Sequence, residues 1–280
     1  GHSGFKGSWL TQVLVNWGAI VKGYSLECKG EDSHFVSLDL ESRIDHRVGD
    51  IRDGAKLQEA ILEFRPEIVM HLAAQALVRE SYKNPVDTFS TNVMGSLNLL
   101  EAIKACDSVS ALVYITSDKC YENFEWVWGY RETDPMGGFD PYSASKASAE
   151  ILFSSYARSY LNAKENFSCA SARAGNVIGG GDYSADRIIP DCVRAAESDG
   201  TVTLRNPNAT RPWQHVLEPL SGYLVLGKAL FEHSIDSGSA WNFGPSAEKV
   251  IIVENVANRV FDILGSGTLV IDADDHPHES

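Results

Sequence analysis

Apolar runs rich in β-branched residues recur along the chain with helically spaced stretches between them, and this alternation constrains the fold more than any other feature. The runs are AIVKGYS (19–25), HRVGD (46–50), EIVMHLA (67–73), ALVYITS (111–117) and FSCASARAGNV (167–177). Helical spacing fills 55–64, 85–105 and 141–161. Strands alternating with helices predict parallel βαβ units in a doubly wound α/β sheet covered on both faces. Ligands of such sheets bind beyond the carboxyl ends of the strands. After Val177 the rhythm changes to Gly- and Pro-rich connections, with helices expected at 187–198, 218–231 and 253–264. The expected division is a first domain over 1–177 and a smaller, mixed substrate lobe over 178–280, interleaved with it.

The chain opens on GHSGFKG, with glycines at 1, 4 and 7 and a helix expected over Ser8–Trp17. In a dinucleotide-binding turn the first glycine makes the bend, the second admits a pyrophosphate and the third lets helix pack on strand. The helix N-terminus then offers its N–H groups to the anion. The strand at 19–25 follows at the distance of a first βαβ unit, and GDIRD (49–53) ends the next strand with a polar cluster suited to an adenine edge. A Rossmann-like domain binding NAD is the expectation. Glu27 either reaches a ribose hydroxyl or is an exposed loop acid, and no Arg stands there for the phosphate of NADP. The strand that should precede the loop is absent, and the chain closes at HPHES without a helix stop. Both ends are therefore expected to be cut, with the first strand and a C-terminal part missing.

A formal charge of −14, from 24 Lys and Arg against 38 Asp and Glu, argues against a nucleic-acid surface. Any anionic ligand must then be held by local basic residues and helix ends. No run approaches the roughly 18 apolar residues of a membrane span, and no leader pattern is present. The cytoplasm is the expected compartment, with no membrane and no nucleic acid as partner. Cys28, Cys106, Cys120, Cys169 and Cys192 are odd in number and lack metal-type spacing, so they read as reduced structural thiols with no metal site.

PYSASKASAE places Tyr142 and Lys146 four residues apart on a predicted helix, hence on one face. An ammonium beside a phenol lowers the phenol's pKa and makes it a usable base. Ser117, ending ALVYITS, adds a hydroxyl at the carboxyl end of a strand. Beside it, Asp118-Lys119 sets an acid next to a base, which suits removal of a proton from one carbon while a hydroxyl leaves the next. A structural salt bridge is the alternative reading of that pair.

The ordered set of GxxGxxG, HLAAQ (71–75), TNVMG (91–95), TSDK (116–119) and YxxxK resembles the extended short-chain dehydrogenase/reductase family over nearly the whole chain. The resemblance implies a cofactor site of Gly1, Gly4, Phe5, Gly7, Asp50, Ile51, Leu72, Ala73, Ala74 and Gln75. It also implies a structural and proton-relay role for Asn92, and contacts of Tyr142 and Lys146 with the nicotinamide side. SDKCYENFEWVWGYRE (117–132), DPYSASK (140–146), RAGNVIGGGD (173–182), RIIPD (187–191) and RNPNATRPWQHVLEPLSGY (205–223) are similar to the nucleotide-sugar 4,6-dehydratases within it. Members acting on dTDP-glucose carry Asp-Glu at 118–119 and those acting on GDP-mannose differ again, so Lys119 favours the CDP-sugar branch.

By this resemblance the substrate is a nucleotide-diphosphate sugar, CDP-glucose above others, oxidised at C4 with Tyr142 as base. Lys119 then takes the C5 proton, Asp118 protonates the departing C6 hydroxyl, and tightly bound NAD is regenerated, toward deoxysugars of surface polysaccharide. Arg187, Arg211 and Arg205 are candidates for the diphosphate, and Asn176 for the sugar or its phosphates. His215 and Trp213 are either ligands or packed core. Trp126, Trp128 and Tyr130 either form a lid or only pack their loop. A homodimer is implied through a four-helix bundle of the 85–105 and 141–161 helices, with Leu97, Leu100, Ile151 and Leu152 on outer faces or against their own sheet. Cys28-Lys29 stands where the family carries a Pro pair. A nucleotide-sugar epimerase or decarboxylase and a non-catalytic NAD-binding regulator are the competing readings.

Overall fold

The computed structural model describes residues 1–28, 30, 33–198, 200–246 and 251–272; Lys29 and the closing HPHES lie outside them. The first part runs α1 (Phe5–Asn16), β1 (Lys22–Ser25), α2 (His34–Ser37), β2 (Asp45–Val48), α3 (Gly54–Phe64), β3 (Ile68–His71), α4 (Val78–Lys83), α5 (Pro85–Phe89), α6 (Gly95–Lys104), β4 (Ala111–Ile115), α7 (Pro141–Ser159) and β5 (Ser168–Ala174). The second runs β6 (Val177–Ile178), α8 (Ile188–Glu197), β7 (Thr201–Leu204), β8 (Thr210–Arg211), β9 (Gln214–His215), α9 (Leu217–Phe231), β10 (Ser239–Phe243), β11 (Ile251–Ile252), α10 (Val253–Leu264) and β12 (Thr268–Ile271).

The central sheet has the order β10-β5-β4-β3, parallel throughout. A parallel β1-β2 pair lies beside it, and Gly1 joins the two, donating to the Tyr24 carbonyl while packing on the backbone of Ala73. Every residue of β4 and β5 is buried. Side chains alternate across a strand, so Leu112 and Tyr114 enter the core under α3, α6 and α7. Ala111, Val113 and Ile115 enter the opposite core, under α1 and α9. Such burial on both faces explains the uninterrupted apolar run the sequence shows there. A third core, of Cys192, Val202, Leu204, Ala257 and Phe261, holds α8 and α10 on the parallel β7-β12 pair.

Residues after 177 also join the main sheet, since α9 covers one face and β10 pairs with β5; SAWNF carries no β-branched residue and gives no strand signal of its own. The helix expected over 85–105 is divided by a π-helical turn at Ser90–Met94, whose extra residue rotates Asn92 inward. Leu100 is fully buried against its own sheet, the second of its two readings. By contrast α10 spans 253–264 as expected, stopped by Gly265 in the left-handed region at φ 76°. All five cysteines are free thiols.

Leu100→Ala leaves a void between α3, α6 and the sheet. Urea unfolding should show a loss of about 2–5 kcal/mol.

Candidate active site

A cleft of about 1070 Å³ opens beyond the carboxyl ends of the strands. Gly1, Gly4, Phe5, Lys6 and Gly7 form one wall, with Asp50, Ile51, Leu72, Ala73 and Ala74 beside them. Ser117, Asp118, Lys119, Tyr142 and Lys146 lie at the centre, and Asn176, Arg187, Arg205, Arg211 and Trp213 on the far side. Arg79 and Asp186, 2.7 Å apart, pair across the mouth between α4 and the loop before α8.

The glycine loop is built for close approach. A Cβ at Gly1 would stand 2.6 Å from the Ala73 nitrogen, and one at Gly7 2.1 Å from the Gly1 oxygen, whereas Gly4 meets nothing nearer than 3.6 Å. The helix begins earlier than expected, so Gly7 sits inside its first turn, and Gly4 caps it without a side chain. The first-turn N–H groups thereby stay available to an anion. His2 ties the loop to β2 through His46, 2.7 Å away.

The centre is assembled by two local devices. Asp140 caps α7, accepting from the Ser143 N–H at 2.9 Å and the Ser143 hydroxyl at 2.6 Å, with Pro141 in the first turn. This puts Tyr142 and Lys146 on the face turned to the cleft, and Lys146 Nζ lies 5.9 Å from the Tyr142 ring centroid. Opposite, the chain leaves β4 and turns through a short 3₁₀ segment, Asp118–Cys120, capped by the Ser117 hydroxyl. Ser117 also donates to Asp118 at 3.1 Å.

Burial dominates the electrostatics. It raises the Asp118 carboxyl above its ordinary value, against the pull of Lys119, Ser117 and Arg211. Lys146 is drawn down to about 8 by burial and then by Lys6, with Glu150 opposing. The Tyr142 phenol is pushed up to about 12, again by burial, with a Ser117 hydrogen bond opposing. The sequence expectation of a lowered Tyr142 is thus corrected for the free protein, because at this separation the ammonium does not offset desolvation.

Other expected residues stand elsewhere. Gln75 and Asn92 do not line the cleft; they bind one another, Gln75 N–H donating to Asn92 at 2.8 Å and Asn92 donating back at 2.9 Å and to Ser145 at 2.8 Å. Asn92 therefore fastens the loop after β3 to α7. His215 is exposed, outside the lining, and accepts from the Leu217 N–H at 3.3 Å. Glu27 is exposed, as one of its two readings had it. Trp126, Trp128 and Tyr130 stack on each other at 5.5–5.6 Å outside the cleft. Motif reading passed over Lys6, which burial, with Arg187 beside it, draws down to about 8; a lysine inside a glycine loop was its signal.

The family model described as GDP-mannose 4,6 dehydratase matches residues 1–253. The chain is 50% identical over 285 residues to a CDP-glucose 4,6-dehydratase of Salmonella typhimurium, covering 100% of this chain and 79% of that protein. Among solved structures, UDP-glucose 4-epimerase of Thermus thermophilus in complex with NAD matches with TM-score 0.81 at 26% identity, over 96% of this chain and 84% of that one. The dTDP-glucose 4,6-dehydratase of Bacillus anthracis in complex with NAD matches with TM-score 0.81 at 22% identity, over 98% and 84%, a likeness of fold.

His71, under the cleft floor, donates or accepts with Ser96 at 3.0 Å, and burial draws it down to about 3 from 6.5. The folded protein resists its protonation while the unfolded chain does not, so its contribution is present above pH 6.5 and lost as pH falls toward 3. His71→Gln should remove about one proton's worth of slope, ~1.4 kcal/mol per pH unit, from a stability-against-pH curve over that window.

Proposed function

The chain belongs to the GDP-mannose 4,6 dehydratase family, and on that footing we propose that it dehydrates CDP-glucose to CDP-4-keto-6-deoxyglucose with NAD. The observation that carries this reading is Asp118 and Lys119 side by side in the cleft that also receives Ser117 and Tyr142. An epimerase needs no such second acid and base. The half-identical relative, named for CDP-glucose, supports the choice of sugar nucleotide.

The residues present fit the cofactor. Gly1 and Gly7 let the loop close on Ala73 and on itself, where a Cβ would clash, and Gly4 stands clear of close neighbours; the first turn of α1 and Lys6 face a diphosphate, Asp50 and Ile51 take the adenosine side, and Lys146 takes the nicotinamide ribose. Bound NAD supplies a positively charged ring that accepts hydride from C4 and later delivers it to C6. Tyr142, kept protonated by burial in the free protein, becomes the base for the C4 hydroxyl once positive charge stands beside it, with Ser117 holding that hydroxyl. The C4 ketone acidifies C5, and Lys119, as the neutral amine, removes its proton. Asp118, whose carboxyl desolvation raises above its ordinary value, donates its proton to the C6 hydroxyl, which leaves as water. Lys119 then returns its proton to C5, and the proton on Tyr142 restores Asp118. Arg187, Arg205 and Arg211 hold the substrate diphosphate and Asn176 the sugar side.

The same reading makes the protein a cytoplasmic homodimer. Among the described residues no helix is long and apolar enough to cross a membrane. Val86 on α5 and Ile151 on α7 are 81% and 61% exposed, apolar side chains on the two helices that a second copy would cover.

Purified protein with NAD, offered CDP-glucose, dTDP-glucose, UDP-glucose and GDP-mannose separately, should release a 4-keto sugar lighter by one water from CDP-glucose alone. If NAD binds and no sugar loses water, the epimerase reading replaces this one. Asp118→Asn and Lys119→Met should each lower dehydration by about 10²–10⁴-fold. Sedimentation should give a dimer, and the double variant Val86→Glu, Ile151→Glu a monomer.

A further inference from the structure

Tyr142, Lys146 and Glu150 recur at every fourth position of α7 and share one face. The first two line the cleft, and Glu150 lies beyond them, 3% exposed. Its carboxylate accepts from the Thr116 hydroxyl, from the Ser171 hydroxyl at 2.9 Å and from Arg173 at 2.7 Å. Arg173, 4% exposed, spends its other terminal nitrogen on the Tyr121 hydroxyl at 2.7 Å and the Glu132 carbonyl at 3.0 Å. The Tyr121 hydroxyl in turn donates to Asn242 at 2.7 Å.

Thr116 and Tyr121 are the residues on either side of Ser117-Asp118-Lys119-Cys120. One buried ion pair therefore grips both ends of the segment that carries the acid and the base of elimination. Its carboxylate partner belongs to the helix that carries the base of oxidation. A buried pair adds little net stability over well-packed apolar residues of the same volume, so stability alone does not account for it. What the pair adds is direction, through hydrogen bonds that fix its partners' positions.

We propose that Glu150 and Arg173 are positioning residues, which hold Asp118 and Lys119 in register with Tyr142 and Lys146 so that elimination follows oxidation on the same bound sugar. The inference rests on the dehydratase reading above. It concerns the second half of the reaction: a shift of about 1 Å between these groups costs on the order of 10²-fold in rate, and oxidation at C4 uses Tyr142 and Lys146 but neither Asp118 nor Lys119.

Thr116→Val and Tyr121→Phe each cut one tie to the segment and leave Glu150 and Arg173 paired with each other; Thr116→Ser keeps the hydroxyl. Protein loaded with NAD is mixed rapidly with CDP-glucose while the near-ultraviolet absorbance of reduced nicotinamide and the product mass are followed. Both cutting variants should build up reduced cofactor that the wild type does not, with product formation down about 10- to 100-fold and KM little changed, and Thr116→Ser should behave as wild type. In cofactor-free protein, NMR titration of the Asp118 carboxyl should move down toward the ordinary aspartate value in Thr116→Val and not in Thr116→Ser, because a loosened segment admits water. Oxidation and elimination slowed equally, unchanged turnover, or an unmoved Asp118 titration would overturn the proposal. A wild-type protein that releases no dehydrated sugar would instead sink the dehydratase reading, and the Asp118 titration would then decide the positioning role by itself.

Discussion

The constraint on which the rest depends is the burial of β4 and β5 on both faces. A strand with apolar cores above and below either pairs its polar side chains inside, as β5 does with Ser171 and Arg173 on Glu150, or places them where it leaves its neighbours. In β4 this happens abruptly: Ile115 is core, and Thr116, Ser117, Asp118 and Lys119 follow at once. At the carboxyl edge of the sheet strand-end hydroxyls and charges meet a cleft, and the helix crossing that edge, α7, brings its first turns to the same spot.

That placement sets the electrostatics. Groups gathered at the edge of two apolar cores lose water, and desolvation moves each toward its neutral form: Asp118 upward, Lys6 and Lys146 down to about 8, Tyr142 up to about 12. Groups moved toward their neutral forms can pass protons without holding large charges. On the opposite side of the cleft an otherwise strongly acidic chain gathers Arg187, Arg205 and Arg211.

Much of this was legible in the residues. The alternation of runs placed the strands, the Asp-Pro pair before Tyr142 marked a capped helix start, and the YxxxK spacing put two functional groups on one face. The illegible parts share a cause, since each depends on a partner distant in sequence. Nothing in SAWNF indicates a strand until β5 offers its edge. His215 and Trp213 share a motif, yet only Trp213 faces the cleft: Trp213 precedes β9 and donates its indole N–H to the Ile251 carbonyl, whereas His215 ends β9 and accepts from the Leu217 N–H. Asn92 reads as a polar residue in a helix until the π turn delivers it to Gln75 and Ser145.

The sequence by itself determined the fold class and brought out the glycine turn and the candidate residues at 117–119, 142 and 146, because these follow from local periodicity, capping and spacing over a few residues. Tertiary structure decided which of those groups meet and in what protonation state. Glu150 and Arg173 lie 23 residues apart in the chain and become a pair only across α7 and β5. The desolvation that moves Asp118, Tyr142 and Lys146 is a property of the packed cores around them, which no local stretch of sequence contains.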